Sequence, residues 1–173
     1  MMSRMKFHLS QMNIAWMHGT IADPVMSGLV ARIEEIYHLA DQSPGFVWRL
    51  PSADITPETL EPFESVLPGF QRDKLFFNMS VWETVEDLRA YTFASAHAEL
   101  LNDRHQWIDK IAGASNVLWW ITNDTRPTIA ESVDRWQHLN AHGPTPHAFT
   151  LRKSFGPPEL NGPLLRRLLL DKR

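Results

Sequence analysis

The chain has 173 residues, of which 43% are hydrophobic and 21% charged, and its formal net charge is −3. This is the balance of an ordinary globular protein, large enough to bury a core without disulfides or metals. Cysteine is absent, which excludes thiolate catalysis, iron–sulfur clusters and cysteine-ligated zinc, and the scattered basic residues do not form the concentrated basic face of a nucleic-acid-binding protein.

The N-terminal residues and the lengths of the apolar runs indicate where in the cell the protein is expected. Met1 to Phe7 carry no apolar signal-peptide core, and no apolar run reaches the ~18 residues of a membrane-spanning helix. We therefore expect a cytoplasmic protein that binds neither membrane nor nucleic acid. The 7 tryptophans are more than average usage gives, and they fit either a tryptophan-rich core or a site for a flat aromatic ligand.

The first part of the chain predicts a strand, a helix and a second strand. Alternating residues predict the first strand over Lys6 to Ala15. Asp23-Pro24 is a typical helix start, and apolar residues at helical spacing continue the helix to about Ala40. Phe46 to Leu50 predicts the second strand. Residues 51–73, rich in proline, predict no regular element and either fold over a pocket mouth or form a passive surface excursion.

The strongest strand signal is the stretch LFFNMSVWE after Lys74. Because successive side chains of a strand point to opposite faces, this strand has one apolar face and one mixed face. We expect the apolar face to meet the helices and the mixed face to meet something else. The apolar face holds Leu75, Phe77, Met79 and Val81, and the mixed face holds Phe76, Asn78, Ser80 and Trp82.

The second part of the chain predicts a long helix, a strand and a further helix. The long helix runs from about Thr84 to Lys110 with a bend near its middle, and a strand follows over Asn116 to Thr122. Thr128-x-x-Glu131 resembles a capping box and begins the third helix. Ala148 to Ser154 predicts a short fifth strand. We expect one domain over residues 1–155 and a C-terminal tail over residues 156–173.

The predicted order is β-α-β-β-α-β followed by a C-terminal α-β extension. This is an α+β, ferredoxin-like arrangement, with helices on one face of a four-stranded sheet. The other face would be open, with Asn78, Ser80 and Trp82 on it. An exposed sheet face that carries tryptophan needs a partner or a ligand, so we expect two copies to pair face to face as a homodimer.

Several short motifs, in combination, resemble the dimeric α/β-barrel superfamily, and most closely a bacterial family of unknown function related to antibiotic-biosynthesis-type monooxygenases. The resemblance covers about residues 6–155. It implies a pair of ferredoxin-like domains that form a dimeric α/β barrel around a small hydrophobic or aromatic molecule. The motifs are Asn13-Ile14-Ala15, residues 43–50 (SPGFVWRL), residues 78–83 (NMSVWE), Ser95-Ala96-His97, Leu118-Trp119-Trp120, Arg126-Pro127-Thr128 and residues 143–146 (GPTP).

The resemblance also implies roles for individual residues. In cofactor-independent monooxygenases of the superfamily, an Asn and a Trp four residues later line the substrate cavity, and Asn78 and Trp82 have this spacing. In haem-degrading relatives the iron ligand is a His on the helix after this strand. Here that position falls near Asn102, with His97 and His105 on either side, and Arg104 is a candidate partner for a haem propionate.

His97 is the best single candidate for chemistry. At 100° per residue it lies beside Phe93 and Arg104 on the flank of the helix, where a His can be a general base, a ligand donor or a haem ligand, or only a half-buried His bonded to backbone. Asn78 and Trp82 complete the predicted catalytic set. The predicted pocket set is Gln11, Asn13, Trp48, Ser80 and Trp119. His138, His142 and His147 cluster near the third helix, but a metal site is not expected there.

Three functions remain open from the sequence. The first is a monooxygenase-like oxidoreductase that acts on a flat hydrophobic substrate, without a cofactor. The second is a haem enzyme or haem carrier on the same fold. The third is a non-catalytic dimeric binding module.

Overall fold

The computed structural model describes residues 6–93 and 95–158. These residues form an α+β domain with a curled antiparallel sheet and four α-helices. The strands are β1 (Phe7–Met17), β2 (Phe46–Arg49), β3 (Leu75–Trp82), β4 (Ile108–Asp109) and β5 (Asn116–Thr122). The helices are α1 (Ser27–Asp41), α2 (Val85–Thr92), α3 (Ser95–Asp103) and α4 (Ile129–His142). Most of the predicted tail, residues 159–173, lies outside the described residues.

Strand β1 is at the centre of the sheet. It pairs antiparallel with β3 on one side, and with β5 and the short β4 on the other. Strand β2 pairs antiparallel with β3 and forms an edge. The order β2-β3-β1-β5, with α1 after β1 and α2 and α3 after β3, is consistent with the predicted ferredoxin-like arrangement.

The two faces of β3 separate as the alternation predicts. The apolar set, Leu75, Phe77, Met79 and Val81, is buried in the largest core cluster. The mixed set, Phe76, Asn78, Ser80 and Trp82, faces α1, α2 and α3. We expected the helices to pack on the apolar set. Helix α4 does so, whereas α1, α2 and α3 cover the mixed face.

The stretch 51–73 packs on the apolar face of the sheet, beside α4. Phe63 is 0% exposed, with its ring centroid 5.9 Å from that of Phe77 and 6.4 Å from that of Trp136 on α4. Leu60 and Leu67 are buried in the same cluster. This stretch is therefore neither a cover for a pocket mouth nor a passive excursion, because its apolar residues form part of the core.

The prediction of an open sheet face is corrected by this packing. One chain covers both faces, with α1, α2 and α3 on one side and α4 and residues 51–73 on the other. Asn78, Ser80 and Trp82 consequently lie inside the chain and not on a surface that awaits a second copy. Face-to-face pairing of sheets is not needed to bury them, and a homodimer stays a prediction.

Two further predictions about elements are wrong in detail. The long helix expected to reach Lys110 is interrupted after Thr92 and ends at Asp103, because Ile108 and Asp109 pair with the end of β1 instead. The fifth strand expected at Ala148 to Ser154 is reduced to one bridge, in which Phe149 exchanges two backbone hydrogen bonds with Leu118, of 2.8 and 2.9 Å.

Helix starts follow the local sequence. The Thr128 hydroxyl accepts a hydrogen bond of 3.0 Å from the backbone N–H of Glu131, as the capping motif predicts, and Thr84 does the same for Asp87 at 3.1 Å. Among the described residues, no helix combines the length and the apolar character needed to cross a membrane.

Candidate functional site

A cavity of about 600 Å³ lies between the mixed face of the sheet and helices α1, α2 and α3. The sheet supplies a polar floor, and the helices supply apolar walls through residues such as Ile33, Ile36 and Leu100. A cavity with apolar walls and a few convergent polar groups is the usual form of a small-molecule site.

The floor of the cavity is a cluster of side-chain amides that the strand register brings together. Asn13 on β1 lies opposite Asn78 on β3 and Asn116 on β5, and Gln11 lies opposite Ser80. We call these five residues the amide floor. Because β1 is central and the register is antiparallel, residues far apart in the sequence meet on one face.

Hydrogen bonds hold the amide floor in place. Gln11 Nε2 donates to Ser80 Oγ at 2.8 Å and to Asn78 Oδ1 at 3.1 Å. Asn13 Nδ2 donates to Gln11 Oε1 at 2.9 Å and to Asn78 Oδ1 at 3.2 Å. Asn116 Nδ2 donates to Asn13 Oδ1 at 2.7 Å and to Gln11 Oε1 at 3.1 Å. A network of this kind fixes each amide in one orientation, which prepares the floor for a ligand.

One donor of the amide floor is left over. Asn78 Oδ1 accepts two hydrogen bonds, whereas Asn78 Nδ2 donates to no other side chain or backbone group among the described residues. Asn78 is half-buried and lines the cavity. Its N–H groups are therefore available to an acceptor on a bound molecule.

Three rings form one wall of the cavity. Trp82 and Tyr91 stack with centroids 4.9 Å apart and an interplanar angle of 27°, and the Tyr91 ring centroid lies 4.9 Å from that of His97. Trp82 Nε1 donates to Ser80 Oγ at 2.9 Å, which ties this aromatic wall to the amide floor. Burial raises the pKa of the Tyr91 phenol well above its ordinary value, so Tyr91 is neutral. Trp82 is 0% exposed behind Tyr91, so the half-buried Tyr91 supplies the accessible, uncharged part of this wall.

His97, on α3, lies at the side of the cavity next to the aromatic wall. Its Nδ1 lies 2.8 Å from the backbone oxygen of Thr92, at the end of α2. Since a carbonyl oxygen only accepts, Nδ1 carries the proton and Nε2 has the free lone pair of the neutral ring. Burial lowers the pKa of His97, and the hydrogen bond to Thr92 opposes this only in part. His97 is thus a neutral imidazole with Nε2 available as a proton acceptor.

Arg49 lies at the β2 side of the cavity. It pairs with Ser80 in the strand register, so its side chain shares the face of the amide floor. Asp41 accepts from Arg49 Nε at 2.9 Å and from Nη2 at 3.3 Å, and the guanidinium carbon lies 4.6 Å from the centroid of the Tyr37 ring. The hydrogen bond and charge of Asp41 raise the pKa of Arg49. Arg49 is a fixed, permanently charged group at the edge of the cavity.

The sequence pattern of one protein family, described as "Domain of unknown function (DUF3291)", matches residues 8–163. The chain belongs to the DUF3291 family. Among solved structures, SnoaB from Streptomyces nogalater, a cofactor-independent oxygenase, is 14% identical with a TM-score of 0.39, over 70% of this chain and 95% of that one. NE2512 from Nitrosomonas europaea, a protein of unknown function, is 10% identical with a TM-score of 0.39, over 71% and 93%. No curated protein matches significantly.

Most of the residues predicted for the site line the cavity of this DUF3291 domain. The cavity-lining members of the predicted set are Gln11, Asn13, Asn78, Ser80, Trp82, His97, Arg104 and His105. Arg104 and His105 are exposed, and His105 Nδ1 lies 3.1 Å from the backbone oxygen of Asn102. The two therefore lie at the rim of the cavity, while the other members form its interior.

Two tryptophans predicted for the pocket lie elsewhere, and this assignment is corrected. Trp119 is 0% exposed in the core on the opposite face of the sheet, with Nε1 3.0 Å from Glu131 Oε1. Trp48 packs on the same core, with the Arg126 guanidinium 5.7 Å from its ring centroid. Both have the strand parity of the apolar set, because Trp48 pairs with Val81 and Trp119 lies between Leu118 and Trp120.

Sequence reasoning missed four cavity residues. Arg49 pairs with Ser80 across a bulge in β2 between Phe46 and Trp48, and Asn116 pairs with Asn13. Neither pairing follows from local periodicity, which does not say which strands are neighbours. Tyr37 on α1 lies beside Arg49, and Tyr91 lies on α2. In the DUF3291 domain Tyr91 both packs on Trp82 and lines the cavity.

The three histidines near the end of α4 do come together. The ring of His138 has its centroid 4.6 Å from that of His142 and 4.6 Å from that of His147. His138 Nε2 lies 2.9 Å from the Thr145 hydroxyl, and Arg135 lies 2.9 Å from His147 Nδ1. Over residues 6–93 and 95–158, no three His, Asp or Glu side chains have a geometry that could hold a metal ion.

Proposed function

We propose that the protein is a monooxygenase-like oxidoreductase that binds a flat hydrophobic molecule in the cavity between the sheet and helices α1, α2 and α3. The observation that carries this proposal is one juxtaposition. The neutral His97 imidazole and the stacked rings of Trp82 and Tyr91 lie over the amide floor, in a cavity of about 600 Å³. A ring system packs against this wall on the Tyr91 side, while polar groups act on its oxygen and its acidic hydrogen.

The proposed reaction begins with proton transfer. His97 Nε2 takes a proton from an acidic C–H of the substrate, and the electron pair of that bond delocalises onto a conjugated oxygen. Asn78 Nδ2 donates to the developing oxyanion and stabilises it. The lowered pKa of His97 keeps the ring in its basic form at neutral pH.

The oxidant in this proposal is O₂. The carbanion gives one electron to O₂, the radical pair combines, and the resulting peroxide anion takes the proton back from His97. The hydroperoxide then loses water, so that a CH₂ group and O₂ become C=O and H₂O. No redox group of the protein is required, because the stabilised carbanion is the reductant. The apolar walls exclude water, which would otherwise reprotonate the carbanion.

The test uses anthrone, a flat tricyclic ketone with an acidic methylene group. We expect uptake of one O₂ for each anthrone oxidised, with the quinone absorbance rising in step. His97→Gln should lower kcat about 10²- to 10⁴-fold, as loss of a general base does. His38→Gln, on the exposed side of α1, is the control and should leave kcat unchanged. Native mass spectrometry of the purified protein should also detect a bound aromatic molecule. No O₂ uptake above the protein-free rate and no bound molecule would overturn the proposal.

A haem-binding role is the second candidate. A hydrogen bond from Nδ1 to a carbonyl, as His97 makes to Thr92, fixes the tautomer that leaves Nε2 free for a metal. Arg104 lines the cavity and has no side-chain partner among the described residues, so it is available for a propionate. These residues fit a haem held by His97 with Arg104, and the haem would supply one-electron and O₂ chemistry. A Soret band that appears on titration with haem and is lost in His97→Ala supports this candidate, and an unchanged spectrum overturns it.

Several coarser expectations belong with this proposal. We keep the homodimer as part of the proposal, on the resemblance to the dimeric barrel superfamily. We also keep the cytoplasmic location expected from the N-terminal residues and the short apolar runs. A non-catalytic binding module would use the same cavity and the same aromatic wall, and it would bind anthrone without consuming O₂.

A further inference from the structure

The unpaired polar groups at the β2 side of the cavity are hydrogen-bond donors. The amide oxygens of Gln11, Asn13 and Asn78 each accept at least one hydrogen bond within the amide floor. By contrast, Asn78 Nδ2 and Arg49 Nη1 donate to no other group among the described residues. Asn116, whose oxygen has no donor there, lies on β5, across β1 and β3 from Arg49. A ligand at the β2 side therefore meets donors that require an acceptor.

Asn78 and Arg49 are close enough to act on one group. Arg49 pairs with Ser80, and Asn78 is two residues from Ser80 on the same face of β3. The two are therefore diagonal neighbours across the strand pair, a separation of roughly 7–8 Å that long side chains bridge. Both line the cavity.

Arg49 is held in one orientation by Asp41, outside the cavity, and by Tyr37, at its edge. Asp41 binds Nε and Nη2, and Tyr37 lies under the guanidinium plane. Nη1 and its two N–H groups remain. Because the side chain is already fixed, a ligand does not have to order it, and less entropy is lost on binding.

The charge balance favours a singly charged anion. The Asp41 side chain is 41% exposed, against 28% for Arg49, so solvent screens the carboxylate more than the guanidinium. Arg49 lines the cavity and Asp41 does not, so the charge that the pair presents to the cavity is that of the guanidinium. Glu34 is also near, and it is exposed. Since Asp41 cancels part of the charge of Arg49, the pair suits a carboxylate better than a doubly charged phosphate.

We propose that Arg49 and Asn78 form a subsite for a carboxylate carried by the ligand, so that the molecule bound in the cavity is a flat aromatic acid. The inference rests on the proposed function, because it names the class of molecule that the same cavity takes. Arg49 Nη1 and one N–H of Asn78 Nδ2 bind the carboxylate oxygens, the second N–H of Asn78 is left for the oxyanion, and the ring lies beside Tyr91. Arg49 is here a specificity-determining residue.

The test compares two probes of the same shape, 2-naphthoate and its neutral amide, 2-naphthamide, through quenching of tryptophan fluorescence. At neutral pH the acid is ionised, and we expect it to bind at least about tenfold more tightly than the amide, as charge-assisted hydrogen bonds do. Arg49→Gln should remove this preference and leave the affinity for 2-naphthamide within about twofold. Arg126→Gln is the matched control, because Arg126 is exposed near Trp48 on the other face of the sheet. It should keep the full preference.

The possible outcomes distinguish a failure of the carboxylate subsite from a failure of the cavity as a binding site. If 2-naphthamide binds and 2-naphthoate binds no more tightly, the carboxylate subsite is wrong while the proposed function stands. If the preference survives Arg49→Gln, the subsite is equally wrong. If neither probe binds, the cavity proposal fails, and the subsite fails with it. The comparison of the two probes in the unmodified protein holds even if Arg49→Gln folds poorly.

Discussion

Tyr91 lies parallel to Trp82, with ring centroids 4.9 Å apart and an interplanar angle of 27°. Tyr91 comes from α2 and Trp82 from the end of β3, so this pair joins the first helix after β3 to the sheet. Both residues line the cavity, but Trp82 is 0% exposed, so Tyr91 supplies the accessible part of this wall. Its rigidity therefore bears on stability and on binding together.

Replacement of Tyr91 should separate these two effects. Tyr91→Ala removes the stacked ring, and we expect the free energy of unfolding to fall by about 2–4 kcal/mol. Tyr91→Phe keeps the ring and loses only the 3.3 Å hydrogen bond from the hydroxyl to the Ile36 backbone oxygen, so the loss should be at most about 1.5 kcal/mol. Urea unfolding measures both. Equal losses in the two variants would mean that the hydroxyl, and not the stacking, holds the pair.

The amide floor should be costly to interrupt. Gln11 donates to two neighbours and accepts from two more, so Gln11→Ala removes one hydrogen bond from each of four buried or half-buried partners. We expect the free energy of unfolding to fall by about 2–4 kcal/mol, measured by urea unfolding. Gln137→Ala, exposed on α4, is the control and should change it by less than about 0.5 kcal/mol. A cost for Gln11→Ala no larger than for the control would show that solvent replaces the network.

The pH dependence of stability should reveal His97. Burial lowers its pKa in the folded state below the ordinary value of 6.5, so the unfolded chain binds the proton more readily. As pH falls below 6.5, the contribution of His97 to the free energy of unfolding therefore decreases, and it levels off below the folded pKa. At higher pH the ring is neutral in both states and contributes no slope.

The measurement is urea unfolding at about pH 7.5 and about pH 5.5. His97→Gln should reduce the loss of stability between these two values, and His38→Gln should not. His147, whose pKa burial, Arg135 and His138 lower, contributes a separate loss of the same sign. An unchanged loss in His97→Gln would contradict a neutral, buried imidazole at this position.

A comparison of Phe63, in the stretch 51–73, with the exposed Phe93 tests whether this stretch is part of the core. Phe63 is 0% exposed in the core, whereas Phe93 is 66% exposed after α2. Phe63→Ala should lower the free energy of unfolding by about 3–5 kcal/mol through the cavity it leaves. Phe93→Ala should change it by less than about 0.5 kcal/mol. Similar values in a thermal or urea melt would show that the 51–73 stretch is not part of the core.

Gly45 and Gly69 together test whether the side chain of Asp87 requires a glycine at position 45. Both have positive φ, +76° and +69°, but a Cβ on Gly45 would collide with the side chain of Asp87, while one on Gly69 meets nothing within 4 Å. Gly69→Ala should cost about 1 kcal/mol in backbone strain alone. Gly45→Ala should cost at least about 1 kcal/mol more, because Asp87 must move from its contact with the N-cap residue Thr84. Equal losses on thermal unfolding would show that Asp87 yields freely.

The sequence predicted the fold better than it predicted what covers the sheet. Alternation in β3 placed Asn78, Ser80 and Trp82 on one face, since period two is a local property. It could not say that α1, α2 and α3, and not a second copy, lie over that face. Which helix packs on which face depends on contacts between distant residues, such as Phe63 with Trp136, that no local pattern encodes.

The residues of the candidate site also divide into those that local patterns predict and those that depend on strand pairing. His97, Asn78 and Trp82 follow from strand and helix spacing together with a family resemblance. The amide floor needs the register that pairs Asn13 with Asn116, and Arg49 needs the bulge in β2. Trp48 and Trp119 were wrongly assigned to the pocket because a tryptophan suits a core as well as a pocket. The two cases are told apart by which face of the sheet the side chain points to, and this depends on how the strand pairs with its neighbours.

Because α1, α2 and α3 cover one face of the sheet and α4 and residues 51–73 cover the other, a single copy already buries both faces. The predicted homodimer would therefore have to form through surfaces other than an uncovered sheet. If the dimer adds little to folding, the thermal midpoint does not shift on dilution, whereas the midpoint of an obligate dimer falls. Folding of the chain and pairing of two copies thus become separate measurements.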